Sequence, residues 1–437
     1  MAKDTIGFAL SAVNKFAGSS LVKKLKLQKP AEKIAYISTR TGFQVISSTS
    51  AKVQQAKNFF TPTASAKQAT ALFDPSFSEE QRLIKDSLDR FSSEVIRTEA
   101  FEADQQASTP PELFQQASEI GLLAYSVPEK LGGYIDTPST VTNLLIAESI
   151  AHGDMGIATA LLSTISVANV LTRWGTEEQQ AHWLNPLIKS LEQPQALFAT
   201  IAINEPTPLF NPHNLTTSVT PIDNGYKLNG QKSAVSIGEQ ADFFLVAASS
   251  PGGEQHLYIV NSALKGITIN NSPGMGLKAA GLCTVTFEDV QLPEDARLGD
   301  NSFHYQTFLD LANLAWCAMA IGCGQAIQDY VVKYCNERAA FGEPISHRQS
   351  VAFMIANIGI ELEGMRLLTY RAASRAEQGL PFHREAYLAK VLCSDKAMEI
   401  GTNGVQLLGG HGFIKEHPVE RWYRDMRSIA ILYGLHA

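Results

Sequence analysis

The sequence predicts an α+β protein in which an antiparallel β domain stands between two helical domains. Helical periodicity dominates residues 78–189, alternating and β-branched residues run over 199–298, and long apolar helices return from residue 303. This order is typical of an α+β chain with an inserted β domain. We therefore expect a basic extension and linker (1–72), an N-terminal helical domain (73–198), a middle β domain (199–300) and a C-terminal helical domain (301–437).

The composition is that of a well-buried globular protein. Of the 437 residues, 45 % are hydrophobic and 18 % are charged, which excludes disorder as the main state. No run of 18 or more apolar residues occurs, so a membrane-spanning helix is not expected. The five cysteines are scattered and form no CxxC pair. They predict neither a disulfide framework nor a metal site, and they indicate a reducing, cytoplasmic location.

The formal net charge of −7 is unevenly distributed along the chain. Residues 1–72 form a basic arm, whereas the rest of the chain is acidic. Apolar residues recur in this arm at near-helical spacing, so it could pack as an accessory helix or lie on an anionic membrane surface. Both alternatives stay open. The acidic body disfavours binding to nucleic acid.

Local signals place the helices in order. Ser78, followed by Glu79 and Glu80, predicts the start of the first helix, because serine caps free amides and acidic residues oppose the helix dipole. Pro110 and Pro111 open another helix, which is expected to end at Gly121. Further helices are predicted at 140–152, 157–172, 303–337, 346–378, 383–408 and 419–433.

The strand signals lie between the two groups of helices. The stretches DNGYKLNGQKSAVSI, FFLVAAS, HLYIVN, GITIN and TVTFEDVQL combine β-branched and aromatic residues with Asn-Gly turns. They predict an antiparallel domain of about 100 residues. The following stretch LANLAWCAMAIGCGQA (311–326) is apolar nearly all round, which predicts a fully buried helix.

Eight segments in sequence are more specific than any one of them. They are FSEEQ (77–81), GLLAYSVPEKLGG (121–133), WGTEEQQAHWL (174–184), NEP (204–206), LNGQK (228–232), GLKAAGLCTVTFEDVQLPEDARLG (276–299), ERAAFGEPISHRQ (337–349) and QLLGGHGFIKEHPVERWYRD (406–425). In this order and spacing the chain resembles the acyl-CoA dehydrogenase family over residues 73–437. That resemblance implies a C-terminal four-helix bundle.

The resemblance also implies FAD, bound between the β domain and the C-terminal helices, with its adenosine half crossing to a neighbouring subunit. Ile203, Asn204 and Ser236 stand at positions that meet the chain's own flavin. The positions that meet a neighbour's FAD are Arg338, Phe341, Gln349, Gln406, Gly409 and Gly410. An arginine suits a diphosphate, and glycines let backbone N–H groups approach it.

The implied reaction is α,β-dehydrogenation of an acyl-CoA thioester, with electrons passed to an electron-transferring flavoprotein. A base must remove the α proton, and hydrogen bonds must polarise the thioester carbonyl. The resemblance further implies a homodimer or tetramer built through the C-terminal helices. The apolar stretch 311–326 agrees with such an arrangement.

The family's catalytic glutamate is replaced in this sequence. Its two alternative positions carry Tyr433 and Ala312. A tyrosine with an ordinary pKa near 10 is a poor base, so Tyr433 could instead be an aromatic plug in the substrate channel. The nearby carboxylates are Asp310, Glu416 and Glu420, of which Asp310 faces about 200° away from Ala312 around the helix.

Positions that would serve the chain's own flavin also differ from the family pattern. Phe210 and Asn211 replace the serine and aspartate of TEPxAGSD, and Ala234 replaces an aromatic residue, while Ser236 keeps the hydroxyl. The family continues with one more helix beyond Ala437, and without it we expect a weaker site. Two hypotheses stay open: an active FAD-dependent dehydrogenase, or an impaired half-site subunit of a hetero-oligomer.

Overall fold

Helices, strands and helices follow one another in the predicted order. The computed structural model describes residues 73–190 and 196–436. The basic arm, for which an accessory helix or a membrane-surface segment is predicted, lies outside the described residues. The domain boundaries drawn from the sequence stay predictions, and the described elements follow them.

The N-terminal helical domain begins as predicted. The Ser78 hydroxyl accepts from the amide of Gln81 (3.1 Å), and the Gln81 side chain accepts from the amide of Ser78 (3.0 Å). This reciprocal cap fixes the first helix. The helices are α1 (Glu79–Arg90), which continues through a π-helical turn (Phe91–Ile96) into α2 (Arg97–Gln106), then α3 (Pro111–Glu119), α4 (Thr140–Gly153), α5 (Met155–Trp174), α6 (Glu177–Gln179) and α7 (Asn185–Ser190).

The middle domain is one seven-stranded sheet. Its strands are β1 (Ala199–Ala202), β2 (Ser218–Ile222), β3 (Gly225–Val235), β4 (Phe243–Ser249), β5 (Gln255–Asn261), β6 (Ile267–Asn271) and β7 (Cys283–Leu292). Most neighbours are antiparallel, as predicted, but β1 pairs with β4 in parallel. The β2–β3 hairpin lies between these two strands in the chain, which gives the length needed to return in the same direction.

Four helices make the C-terminal domain. They are α8 (Tyr305–Glu337), α9 (Gln349–Glu377), α10 (His383–Leu408) and α11 (Val419–Met426), with a small hairpin of β8 (Ala339–Ala340) and β9 (Glu343–Pro344) between α8 and α9. The last helix is shorter than the predicted 419–433. It ends in a 3₁₀ turn (Arg427–Ala430), because the amide of Tyr433 donates to the Asn204 side chain instead of to a helical carbonyl.

The long helix α8 is buried within its own subunit. It packs against α4, α9 and α10, and the stretch 311–326 lies in this packed interior. The stretch is therefore buried as predicted, but it offers no surface to a second subunit. Apolar side chains instead stand exposed on α9 and α10, among them Phe353, Ile360, Leu367, Tyr387 and Val391.

Two helices are long and apolar enough to cross a membrane by length and composition alone. They are α5 and α8, and 94 % and 89 % of their apolar windows are buried inside the described fold. A mostly buried core helix also passes this test of length and composition. The high buried shares therefore identify α5 and α8 as the central helices of the packing.

Short helix α11 ties the three domains together through charged side chains. Arg421 Nε lies 2.7 Å from Asp154 Oδ2, and both side chains are buried. The other contacts run from Arg424 to Asp104 (2.9 Å) and from Asp425 to the amide of Leu277 (2.6 Å). Removing one partner of a buried ion pair leaves an uncompensated charge, so these contacts fix the position of α11 strongly.

Asp154→Asn should lower the free energy of unfolding by about 3–5 kcal/mol, because it leaves the Arg421 charge buried and unpaired. Asparagine can still cap α5 through its side-chain oxygen, so the change isolates the charge. Urea denaturation measures the loss. The surface pair Lys85–Asp89 is the matched control, where Asp89→Asn should cost less than about 1 kcal/mol. Equal losses in the two variants would contradict this assignment.

Candidate active site

A small cavity lies where the β domain, α5, α8 and the residues after α11 meet. Ser236, Ala234, Thr159, Trp316 and Tyr433 line it. In this conformation it has room for about one water molecule. The structure thus brings together Ser236, predicted to meet the flavin, and Tyr433, predicted to stand at the position of the family base.

Ser236 is held by neighbouring hydroxyl groups. It follows the end of β3, and its Oγ lies 2.5 Å from Ser163 Oγ on α5 and 3.4 Å from Thr200 Oγ1 on β1. All three side chains are buried. The Nε1 atom of Trp316, in the same cavity, has no hydrogen-bond partner among the described residues. The cavity wall therefore carries polar groups that can bond to a ligand.

A buried ion pair braces the turn that follows β1. Lys232 Nζ lies 2.9 Å from Glu205 Oε1 and donates to the carbonyl of Ile203 (3.0 Å). Glu205 also accepts from Thr216 and Thr217. Burial raises the pKa of Glu205, but Lys232 and these hydrogen bonds outweigh it and bring the pKa down to about 2.

Burial also lowers the pKa of Lys232 to about 8, although Glu205 opposes this effect. Both pKa values are lowered, but for different reasons: the lysine loses its hydration, which disfavours its charged form, while four hydrogen bonds favour the charged form of the carboxylate. Both groups stay charged at neutral pH. The brace therefore holds Ile203 and Asn204 in place beside the cavity.

Residues 431–436, which we call the return segment, pass directly over Ile203 and Asn204. The Asn204 amide donates to the carbonyl of Ile431 (2.8 Å) and accepts from the amide of Tyr433 (2.9 Å). Gly434 has a φ of +112°, and a Cβ there would lie 3.1 Å from the carbonyl oxygen of Ile201. The Asn204 side chain, predicted to meet a flavin, is engaged by the chain itself in this conformation.

The other end of the return segment is anchored on α5. The amide of His436 donates to Ser166 Oγ (2.9 Å), and its carbonyl accepts from Asn169 Nδ2 (3.2 Å). The His436 ring stacks on Phe308 with centroids 5.5 Å apart and meets Trp174 edge-on. Both ends of the segment are thus fixed, and it fills the space between the β domain and α8.

Tyr433 has the surroundings of an aromatic plug. Its ring meets Phe210 edge-on, with centroids 6.1 Å apart, and lies 5.3 Å from Lys390 Nζ. Burial raises the pKa of Tyr433, so the phenol stays protonated at neutral pH. A protonated phenol can donate a hydrogen bond but cannot accept the α proton as a base.

Lys390 is a site residue that the sequence reading missed. Its Nζ donates to the carbonyl of Leu432 (3.4 Å), and burial lowers its pKa to about 8. The sequence does contain a signal for Lys390: it is spaced along α10 so that it shares the buried face of Ala386, Cys393 and Ala397. A lysine on such a stripe indicates a buried amine with a backbone partner.

The alternative carboxylates lie elsewhere. Asp310 is buried beside His383 (2.9 Å) and Gln306 (2.9 Å), at the start of α10, and burial raises its pKa. Glu416 is exposed, and Glu420 is paired with Arg424. Ala312 is fully buried in α8. Among the residues that the structure describes, no carboxylate lines the cavity at Ser236.

The residues predicted to meet a neighbour's FAD lie on the surface. They are Arg338, Phe341, Gln349, Gln406, Gly409 and Gly410, and all six are exposed. The Gly-Gly turn packs on the end of α8 through Tyr334, whose hydroxyl lies 2.9 Å from His411 Nδ1. The predicted set therefore comes from two chain segments that meet at this end of α8.

Backbone conformation at this end favours binding to another molecule. Gly409 has φ +57° and ψ −128°, which only glycine adopts readily. A Cβ at Gly409 or Gly410 would meet no atom within 4 Å, so the bare backbone faces open space. Phe341 also has a positive φ, and its side chain is 95 % exposed. The guanidinium carbon of Arg348 lies 5.1 Å from the centroid of its ring. The backbone at Gly409 and Gly410 is therefore accessible to a second molecule.

The comparison with known proteins defines the class. The acyl-CoA dehydrogenase N-terminal domain matches residues 78–190, the middle domain matches 200–290, and the C-terminal domain matches 304–436. Together they span most of the described chain in the order of its three domains. The chain belongs to the acyl-CoA dehydrogenase family, which confirms both the resemblance and the predicted fold class.

Individual relatives match over nearly their whole length. Benzylmalonyl-CoA dehydrogenase of Aromatoleum aromaticum is 30 % identical over 82 % of this chain and 95 % of its own. The caffeyl-CoA reductase-Etf complex subunit CarC of Acetobacterium woodii is 29 % identical over the same shares. The structure of butyryl-CoA dehydrogenase from Megasphaera elsdenii has a TM-score of 0.75 and 28 % identity, covering 82 % of this chain and 95 % of that chain.

The Glu205 brace predicts a pH-dependent stability. Its pKa is about 2 in the folded chain, against 4.5 for the free group. The carboxylate therefore stabilises the fold by about 3 kcal/mol above pH 4.5, and this stabilisation is lost as the pH falls through 2. Glu205→Gln should cost about that amount at pH 6 and progressively less toward pH 2, measured by urea denaturation.

Glu288→Gln, on an exposed position of β7, is the matched control and should change stability little at any pH. A Glu205→Gln cost that stays constant between pH 6 and pH 2 would show that Glu205 does not titrate as assigned.

Proposed function

We propose that this chain catalyses α,β-dehydrogenation of an acyl-CoA thioester with FAD and passes the electrons to an electron-transferring flavoprotein. The family is one of FAD-dependent oxidoreductases that act on CH–CH groups. The observation that carries the proposal is that Ser236, at a predicted flavin position, is held by Ser163 and Thr200 in the wall of a cavity beside α8. The name of the relative in an Etf complex supports the electron acceptor.

FAD, when bound, supplies the acceptor for the hydride that leaves the β carbon. The chain's own residues would hold the ligands and polarise the thioester carbonyl, while the α proton would pass to a base outside the lining of this cavity. Ser236, fixed by Ser163 and Thr200, presents a hydroxyl that can donate to a ring nitrogen or to a carbonyl. Trp316 also lines the cavity, and its buried Nε1 has no partner among the described residues, so it is available as a second donor. Two donors in a site that excludes water polarise an oxygen strongly.

Room for these ligands requires a shift of the return segment. The cavity holds about one water molecule while this segment stays bonded to Asn204, Ser166 and Asn169. Each of these hydrogen bonds contributes about 1 kcal/mol net to stability, so the free energy of ligand binding can offset their loss. We propose that FAD and the thioester bind to the form in which this segment has moved.

A second candidate function is a half-site subunit that completes a partner's FAD site. Two observations favour it. The chain's own cavity is filled by the return segment and lacks a lining carboxylate among the described residues. The set at Arg338 and Gly409 is exposed, and its glycine backbone is accessible to a second molecule. Such a subunit would act within a hetero-oligomer with a second acyl-CoA dehydrogenase chain.

The exposed apolar faces of α9 and α10 support an oligomer. Phe353, Ile360 and Leu367 repeat every seven residues on α9, and their exposed fractions are 59 %, 67 % and 49 %. A stripe of this kind marks an interaction surface. We propose a dimer or tetramer built through these two helices, in place of the buried stretch 311–326.

The visible absorbance spectrum of the chain purified alone separates the two functions. A working dehydrogenase should show a flavin band, with about one FAD per chain, that bleaches with at least one acyl-CoA thioester. A half-site subunit should be colourless alone and yellow when combined with a second dehydrogenase chain. No flavin band under either condition would contradict both proposals.

Tyr433→Phe should leave bleaching within about twofold of the wild type, because a protonated phenol contributes no base. The measurement is the anaerobic bleaching rate of the flavin band under a saturating thioester. Phe210→Leu, on the other side of the Tyr433 ring, is the control for packing. A loss of a hundredfold or more in Tyr433→Phe alone would identify Tyr433 as the base.

A further inference from the structure

A second cavity, which we call the distal cavity, lies beside the first along α5. Ser126, Asn143, Ser166, Asn169 and His436 contribute its polar lining. Leu435 lines both cavities and stands between them. The distal cavity is enclosed by apolar side chains of α4, α5 and α8, so its polar groups converge inside a hydrophobic core.

These polar groups are incompletely bonded. Ser126 Oγ, Asn143 Oδ1, Asn169 Oδ1 and both ring nitrogens of His436 have no hydrogen-bond partner among the described residues. Ser126, Asn169 and His436 are each at least 94 % buried. An unpaired buried polar atom is costly, and most buried polar atoms in native proteins are paired. Three of these atoms, on Ser126, Asn143 and Asn169, do not belong to the return segment, so they remain unpaired when it moves and point to a polar ligand.

The lining also selects the charge of that ligand. No Lys, Arg, Asp or Glu lines the distal cavity. A carboxylate or ammonium group would enter without a counter-ion, at high cost. A hydroxyl or carboxamide can donate to the asparagine oxygens and accept from Ser126.

Helix α5 connects the distal cavity with the active-site cavity. Thr159, Ser163, Ser166 and Asn169 follow one another at steps of four, three and three residues, so they share one face of the helix. Ser163 bonds to Ser236, and Thr159 lines the first cavity. The face runs about 15 Å from Thr159 to Asn169. An acyl chain that starts at Ser236 can follow this face of α5 to the distal cavity.

The protein itself shows which chemistry this face binds. The return segment lays a peptide group against it, with the His436 amide on Ser166 and the His436 carbonyl on Asn169. Leu435 fills the apolar space between the two cavities and is 1 % exposed. An apolar stretch followed by a neutral hydrogen-bonding group is thus already in place.

We propose that the distal cavity is a specificity subsite for a neutral hydrogen-bonding group, a hydroxyl or carboxamide, on the acyl chain remote from the thioester. The acyl chain takes the place of Leu435, and its polar group takes the place of the His436 peptide and ring. This inference rests on the proposed function, since it requires that acyl thioesters bind at the chain's own site.

Matched thioesters test the subsite. Calorimetry measures the affinity of the full chain with FAD for butyryl-, hexanoyl- and octanoyl-CoA and for their terminally hydroxylated counterparts. At one length or more, the hydroxylated thioester should bind at least tenfold more tightly than its alkyl counterpart, because it pairs buried groups that the alkyl chain leaves unpaired. Equal or weaker binding at every length, or no binding of either kind, overturns the proposal.

Variants assign the preference to the distal cavity. Asn169→Leu and Asn143→Leu keep the side-chain size and remove the unpaired oxygen, so each should reduce the preference to about threefold or less. Thr172→Val is the matched control, because its hydroxyl is also buried and unpartnered on α5 but does not line the cavity. A preference retained in both leucine variants, or lost equally in Thr172→Val, overturns the assignment.

Flavin bleaching, recorded separately, keeps the two proposals distinct. Tenfold tighter binding of a hydroxylated thioester without bleaching would support the subsite and count against dehydrogenation by this chain. Bleaching by alkyl and hydroxylated thioesters with equal affinities would support dehydrogenation and overturn the subsite.

Discussion

The buried contact between Arg421 and Asp154 fixes the C-terminal helices against the N-terminal ones, and Asp425 of the same helix, α11, binds the β domain through Leu277. Asp154 also caps α5, so one carboxylate both starts the central helix and receives the arginine of α11. Charged groups without water hold their partners strongly, because separation would leave each one unsatisfied. The direction in which the chain leaves α11 is consequently fixed.

That direction places the return segment in the active-site cavity. Asn204 binds it at one end, and Ser166 and Asn169 bind it at the other. The Glu205–Lys232 brace holds the Asn204 end, and α5, fixed by Asp154, holds the other. The occupied cavity is therefore a consequence of the same charged contacts that join the domains.

The two halves of the predicted FAD set have opposite environments. Ile203, Asn204 and Ser236 are buried under the return segment, whereas Arg338, Phe341 and the Gly-Gly turn are exposed at the end of α8. The buried half must open before it binds a ligand, while the exposed half is ready for another molecule. This asymmetry explains why an active dehydrogenase and a half-site subunit both arise naturally from one fold.

Local signals made much of this fold predictable. The cap at Ser78, the order of the domains and the site positions Ser236 and Tyr433 all depend on residues close in sequence or on short motifs. The length of the last helix was not predictable, because Tyr433 is drawn to Asn204, 229 residues earlier. The parallel pairing of β1 with β4 and the buried amine of Lys390 also depend on contacts between residues far apart in sequence, 44 positions for Ala199 and Phe243 and 42 for Lys390 and Leu432.

Hydrogen exchange of the return segment tests the central claim most directly. The segment occupies the cavity in which FAD and thioester are proposed to bind, so adding both should speed amide exchange in a peptide covering residues 427–436 at least tenfold. Exchange in α1, remote from the site, should not change. Unchanged protection of residues 427–436 while the flavin band bleaches would contradict the claim, since catalysis would then proceed with the segment in place.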